Sequence, residues 1–346
     1  MTKIAFLVLF FGVAQCFGQQ PRSQQMRDLY IRSNPSVVVI KTIEKKIPNV
    51  APFGLVSLPR LGSGVLISTD GKILTAAHVV QAADYVAVEF ADGKSVTAHV
   101  IASNPLADVA LLQTDSVVSD VIPARLGDSD KVEVGDDVYI IGAPYGLTHS
   151  LTVGHISAKR VSNGALGGFA KLELLQTDAA INQGNSGGPM FNMAGEVVGV
   201  VSQILSRSGG FEGLGFAITS NVARKVLVDD RSFWTGVDGY MLTDDLARIF
   251  NLPQPAGLLI LRAAENSPAA DLRILGGSIR AIIGGEELIV GGDIVLEVAG
   301  VKVSPEWISL AETQTALSKI KPGEKYAVKV LRAGQVVELS AYMRDK

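Results

Sequence analysis

The residues best suited to chemistry are a serine among glycines, a histidine among small residues and an aspartate at the start of an apolar run. In Gly184-Asn185-Ser186-Gly187-Gly188-Pro189 the neighbours of Ser186 carry little side chain, so a carbonyl can approach its hydroxyl. Backbone N–H groups of Gly184 and Ser186 then form an oxyanion hole, fixed donors where negative charge develops. A serine hydroxyl is a weak nucleophile at neutral pH and needs a base. His78, in Leu74-Thr75-Ala76-Ala77-His78-Val79-Val80, can supply one. An imidazole must be held in one tautomer and its cation stabilised, which a carboxylate does. Asp108, in Ala107-Asp108-Val109-Ala110-Leu111-Leu112, enters an apolar strand, where an unpaired carboxylate would be costly. Together these residues suit acyl transfer, with Ser186 as nucleophile, His78 as general base then acid, and Asp108 orienting the ring.

The elements that must position them are mostly short strands. Apolar residues alternate at 64–68 and 72–75 around Asp70-Gly71, and at 86–90 and 95–101 around Asp92-Gly93, a hairpin signature. The pattern recurs at 138–141, 150–157 and 196–203, so a barrel or sandwich is expected. A short helix over 221–229 closes this region and puts a boundary near residue 230. Beyond it, strands alternate with helical stretches at 243–250 and 310–320, which reads as a small α+β unit. Thr243-Asp244-Asp245 caps the first of these helices and Asn251 and Pro253 stop it.

A chain of 346 residues exceeds what one core usually organises, so two domains are expected. Its net charge of −3 offers no basic footprint for nucleic acid. Residues 1–18 read as a signal peptide: Lys3 precedes the apolar run 4–13, about half of what crossing hydrocarbon takes. A cut after Cys16 or after Gly18 removes the only cysteine, which fits an oxidising compartment. His99, His149 and His155 lack the spacing of a metal site, and neither metal nor cofactor is expected.

The order His78, Asp108, Ser186, with separations of 30 and 78 residues, resembles chymotrypsin-like proteases, whose nucleophile sits on the second of two barrels. More narrowly, Thr75-Ala76-Ala77-His78, Asp108-Val109-Ala110-Leu111-Leu112 and the run from Gln176 to Pro189 look like the HtrA/Deg family, as does Gly213-Leu214-Gly215-Phe216-Ala217-Ile218. The resemblance implies a mainly β chain, a chymotrypsin-like double β-barrel over 25–230 followed by a PDZ domain over 234–346. By resemblance, Ala180, Ile181 and Ile204 flank the primary specificity pocket. Ala180 stands where a carboxylate would select Arg or Lys, so aliphatic side chains are expected there.

Trp234-Thr235-Gly236-Val237, Gly257-Leu258-Leu259-Ile260, Ser267-Pro268-Ala269-Ala270 and Gly291-Gly292-Asp293-Ile294 resemble the family's PDZ domain. There the turn Trp234, Thr235, Gly236, Val237 offers backbone donors to a peptide C-terminal carboxylate. Thr235 departs from the hydrophobic residue often found at its position, and 276–292 inserts a glycine-flanked hairpin expected near the ligand groove. Arg160, by the family's signal-receiving loop at 159–170, is the expected relay between peptide site and protease. The stretch between Lys45 and Leu61 is short, which argues against cage assemblies built on a long loop there. The resemblance further implies an ATP-independent endopeptidase acting on unfolded exported proteins, periplasmic or secreted, and a homotrimer. The competing expectation is a peptide-binding chaperone or stress sensor with proteolysis secondary.

Overall fold

The computed structural model describes residues 21–46, 56–116, 121–162, 172–206, 208–305 and 308–344. The expected signal peptide, Cys16 and residues 163–170 of the expected receiving loop lie outside them.

Helix α1 (Arg22–Ser33) leads into the first barrel. Its strands are β1 (Val37–Lys46), β2 (Val56–Leu66), β3 (Lys72–Thr75), β4 (Tyr85–Glu89), β5 (Ser95–Asn104) and β6 (Val109–Thr114), with the short helix α2 (Ala77–Val80) between β3 and β4. They close in the order β1-β2-β3-β6-β5-β4. Strand alternation sends every second side chain inward. In β4, Val86 and Val88 face the interior with Ile40, Leu66, Ile73 and Leu112.

The second barrel uses β8 (Asp137–Gly142), β9 (Ser150–Ser162), β10 (Leu172–Thr177), β11 (Pro189–Asn192), β12 (Glu196–Ile204) and β13 (Gly215–Thr219), preceded by the short β7 (Arg125–Leu126). Pairing of β11 with β12 closes the ring β11-β8-β9-β10-β13-β12, and β7 adds to β12 in parallel. Val138, Ile140, Ile156, Leu175 and Val201 fill it. A third cluster joins the barrels: Val65, Leu74 and Leu111 of the first meet Tyr139, Ile141 and Phe191 of the second, and Leu29 of α1 closes over them. Burying each such side chain contributes about 1.5–3 kcal/mol, so the seam between the barrels is itself a hydrophobic core. Helix α3 (Ser220–Arg224), capped by the Thr219 side chain and continued by a wider turn over Lys225–Asp229, ends this region.

The remaining chain forms β14 (Val237–Leu242), α4 (Asp244–Ile249), β15 (Gly257–Ala263), α5 (Pro268–Asp271), β16 (Ile279–Ile283), β17 (Glu286–Val290), β18 (Ile294–Val298), β19 (Val301–Lys302), α6 (Ile308–Ser318), β20 (Lys325–Arg332) and β21 (Gln335–Tyr342). The sheet runs β14-β15-β18-β20-β21, with β19 on β18. The architecture is mainly β, a chymotrypsin-like double barrel followed by a small α+β unit. The inserted hairpin is β16–β17, turning at Gly284-Gly285. Gly284 lies over Leu246 of α4, and the hairpin contributes nothing to the lining of the apolar cavity of about 330 Å³ between β14, α6 and the first barrel. The hairpin packs instead through Leu288, Ile283 and Val290 with Leu242, Leu259 and Ile294 of the sheet.

Candidate active site

The first barrel brings His78 and Asp108 together through one strand pair. Thr75 at the end of β3 pairs with Ala110 near the start of β6, so the residues just beyond each end meet although they are 30 apart in sequence. Asn104 Oδ1 accepts from Ala107 N–H at 3.0 Å and Pro105 C=O accepts from Asp108 N–H at 3.3 Å, closing the turn before β6. Asp108 leaves that turn with φ +49°, a left-handed conformation that aspartate tolerates better than most residues.

Asp108 is 5% exposed, and its carboxylate is surrounded by donors. His78 Nδ1 lies 2.9 Å from both oxygens, His78 backbone N–H donates to Oδ1 at 3.0 Å, and Ser202 Oγ donates to Oδ2 at 2.5 Å. With Nδ1 donating to a carboxylate, Nε2 is left as the ring's acceptor. Burial pulls the His78 pKa down, but the hydrogen bond and charge of Asp108 push it up further, against a smaller downward pull from Arg60; the net result lies above the ordinary imidazole value.

Ser186 arrives from the second barrel on a loop pinned to the first. Ser63 N–H donates to Ser186 C=O at 2.8 Å, Ser63 Oγ donates to Gly184 C=O at 2.7 Å, and Gly187 N–H donates to Val201 C=O at 2.7 Å. Two glycines permit the approach. A Cβ on Gly187, at φ +82°, would lie 2.2 Å from Thr75 Oγ1 and 2.4 Å from Ser63 C=O. One on Gly184, at φ +104°, would lie 2.1 Å from Ala143 C=O. Both sites exclude a side chain on space and on backbone conformation.

Ser186 Oγ makes one long hydrogen bond, 3.5 Å to Ser202 C=O. Among the described residues none joins it to His78, an arrangement usual where the bond tightens only with substrate. The N–H groups of Gly184 and Ser186 have no acceptor among the described residues, so both remain available for an oxyanion.

Residues 62–200 match the family model described as a trypsin-like peptidase domain. A solved structure of the HtrA-type protease AlgW with a decapeptide is 30% identical, with a TM-score of 0.52 over 92% of this chain and 98% of that one. The chain belongs to the HtrA/Deg family. A probable periplasmic serine endoprotease, DegP-like, from Pseudomonas putida strain F1 is 43% identical over 248 residues, 70% of this chain and 51% of that protein. One of the same description from Marinomonas sp. strain MWYL1 is 36% identical over 307 residues, 85% of this chain and 60% of that protein. The chain thus spans about half the length of the first curated relatives it matches, 51% of the Pseudomonas putida protein.

Of the expected pocket residues, Ile181 is buried inside the second barrel, its Cδ1 against the backbone of Gly215, and half-buried Ile204 pairs with that same Gly215. Ala180 is half-buried, and its carbonyl accepts from Thr152 Oγ1 at 3.0 Å. Trp234 turns its ring towards the first barrel, and Nε1 donates to Gln81 C=O at 3.0 Å. Gly236, at φ +76°, packs against Ser267, and Ala264 N–H donates to its carbonyl. Arg160 donates to Gln176 Oε1 on the neighbouring strand at 3.1 Å, within its own barrel.

Sequence reasoning missed Ser202 and Ser63. Ser202 follows Val200-Val201 as one polar residue of a buried strand, and only the fold puts it beside Asp108, 94 residues away. Thr75 opens the His78 motif, and only the fold shows that its hydroxyl donates to Ser63 C=O at 2.8 Å beneath the Ser186 loop.

Proposed function

We propose that the chain is an ATP-independent serine endopeptidase that degrades unfolded or damaged exported proteins in the periplasm. His78 takes the Ser186 hydroxyl proton as Oγ attacks the scissile carbonyl; the N–H groups of Gly184 and Ser186 hold the oxyanion. His78 then passes the proton to the leaving amine, and water hydrolyses the acyl-enzyme by the same route. Asp108 keeps the ring in one tautomer throughout. The observation that carries the reading is the buried Asp108 carboxylate, bonded to His78 and to Ser202, whose carbonyl in turn meets Ser186.

Half-buried Ala180 and Ile204, with Ile181 behind them in the barrel core, are proposed to give the primary pocket an apolar wall without a carboxylate, which favours Val, Ile, Leu or Ala before the cleaved bond. The unit over 234–346 is read as a PDZ domain, with Trp234, Thr235, Gly236 and Val237 receiving a peptide C-terminus. Periplasmic location rests on the names of the curated relatives. A homotrimer is proposed through α1, whose Ile31 is 68% exposed.

The test is digestion of unfolded casein with product mass spectrometry. Wild type should cut after small aliphatic residues and Ser186→Ala should lose turnover by about 10⁵-fold or more while keeping its melting temperature. Tryptic products would reject the pocket; turnover by the pure variant would reject the nucleophile.

A further inference from the structure

The segment 232–235, between α3 and β14, touches both pieces of chain that carry the candidate base and its carboxylate. Gln81 follows α2, the helix of His78, and is 9% exposed. Its carbonyl accepts from Trp234 Nε1 at 3.0 Å, its Nε2 donates to Thr235 Oγ1 at 3.3 Å, and its Oε1 accepts from Ser103 Oγ at 2.7 Å. Ser103 opens the other arm. Its N–H donates to Ser232 C=O at 3.2 Å. The next residue, Asn104, donates to Ser232 Oγ at 3.0 Å and closes the turn that delivers Asp108. Ser103 and Ser232 are themselves buried.

We propose that Gln81 and Asn104 are positioning residues of the acyl-transfer site, held by 232–235, so that the junction between barrels and C-terminal unit sets the alignment of His78 on Asp108. The proposal rests on the catalytic reading of that pair. Its physical basis is that a buried polar network acts as a unit: removing one member leaves the others without partners, and they move to recover them. Gln81 and Ser103 tie the His78 helix to the Asp108 turn directly, and the junction clamps both. Small displacements suffice, because a misplacement of about 1 Å costs about 10²-fold in rate. Gln81, Asn104 and Thr235 also line the cavity beside β14 and α6.

The experiment uses the full chain and a short chromogenic peptide with Val before the scissile bond. Gln81→Leu should lower kcat about tenfold to hundredfold with KM within about twofold. The His78 midpoint, read from its ring proton by NMR, should fall, because the pull of Asp108 weakens while burial remains. Thr235→Val, which removes one hydroxyl at the surface of the network, should give a smaller change in the same direction, and Thr235→Ser should restore it. Unchanged kcat and His78 midpoint in Thr235→Val, or in a folded Gln81→Leu, overturn the proposal. A lower melting temperature with both readouts unchanged also overturns it, since that is a structural role only. If wild type cleaves no peptide, the proteolytic reading fails, and the His78 titration alone still decides the positioning role.

Discussion

The two sides of the site are held in opposite ways. On the first barrel, Asp108 is fixed by His78, Ser202 and a closed turn, and His78 is fixed by Asp108 through ring and backbone. On the second, the loop is pinned through its backbone, Gly184 and Ser186 by their carbonyls and Gly187 by its N–H, but Ser186 Oγ has one long bond among the described residues. Asn185 Oδ1 is buried with no hydrogen-bond partner among the described residues. On the proposed reading, the base is assembled in advance, whereas the oxyanion donors and the nucleophile are left to complete their bonding with an entering carbonyl.

The contrast can be broken by removing the strongest element of the rigid side. Asp108→Asn should cut kcat by about 10⁴-fold and drop the His78 midpoint below that of wild type, because hydrogen bond and charge are lost while burial persists. An unchanged NMR midpoint would show that Asp108 does not hold the ring. On the other side, Gly187→Ala places a methyl against Thr75 and Ser63 and should cost about 10²–10³ in kcat, the scale of a lost oxyanion donor. Steady-state kinetics within about twofold of wild type would mean the loop is looser than its contacts imply. Ser202→Ala sharpens the comparison at the link between the sides. It removes one donor from Asp108 and should reduce kcat by about tenfold with KM little changed. A KM effect without a kcat effect would place Ser202 in substrate binding instead.

The smallest effect concerns pH. The base must be neutral to act, and its pKa is raised, so kcat/KM should climb through a midpoint above about 6.5. A midpoint below that value would mean that burial outweighs Asp108.

Much of this was legible in the residues themselves. Alternation such as Val86 and Val88 in β4 forecast the strands, and Gly284-Gly285 forecast a hairpin, because both are local signals. His78, Asp108 and Ser186 stood out by type and spacing. What could not be read was who meets whom across the chain. Ser202 is an ordinary serine until β12 passes Asp108, and Gln81 is an ordinary glutamine until Trp234, 153 residues on, donates to it. Arg160 bonds to Gln176 within its own barrel, and among the described residues Gln81, Asp84, Ser103 and Asn104 bond to the segment from Ser232 onward, pairings that no local signal announces.

The central claim, that His78 held by Asp108 activates Ser186, is tested most directly by phosphonylation of the full chain with a fluorophosphonate, followed by intact mass and peptide mapping. One adduct should form, on Ser186, at a rate that rises with pH through the His78 midpoint and falls by about 10³-fold or more in His78→Ala. An adduct on another serine, or equal labelling rates in wild type and His78→Ala, would contradict it.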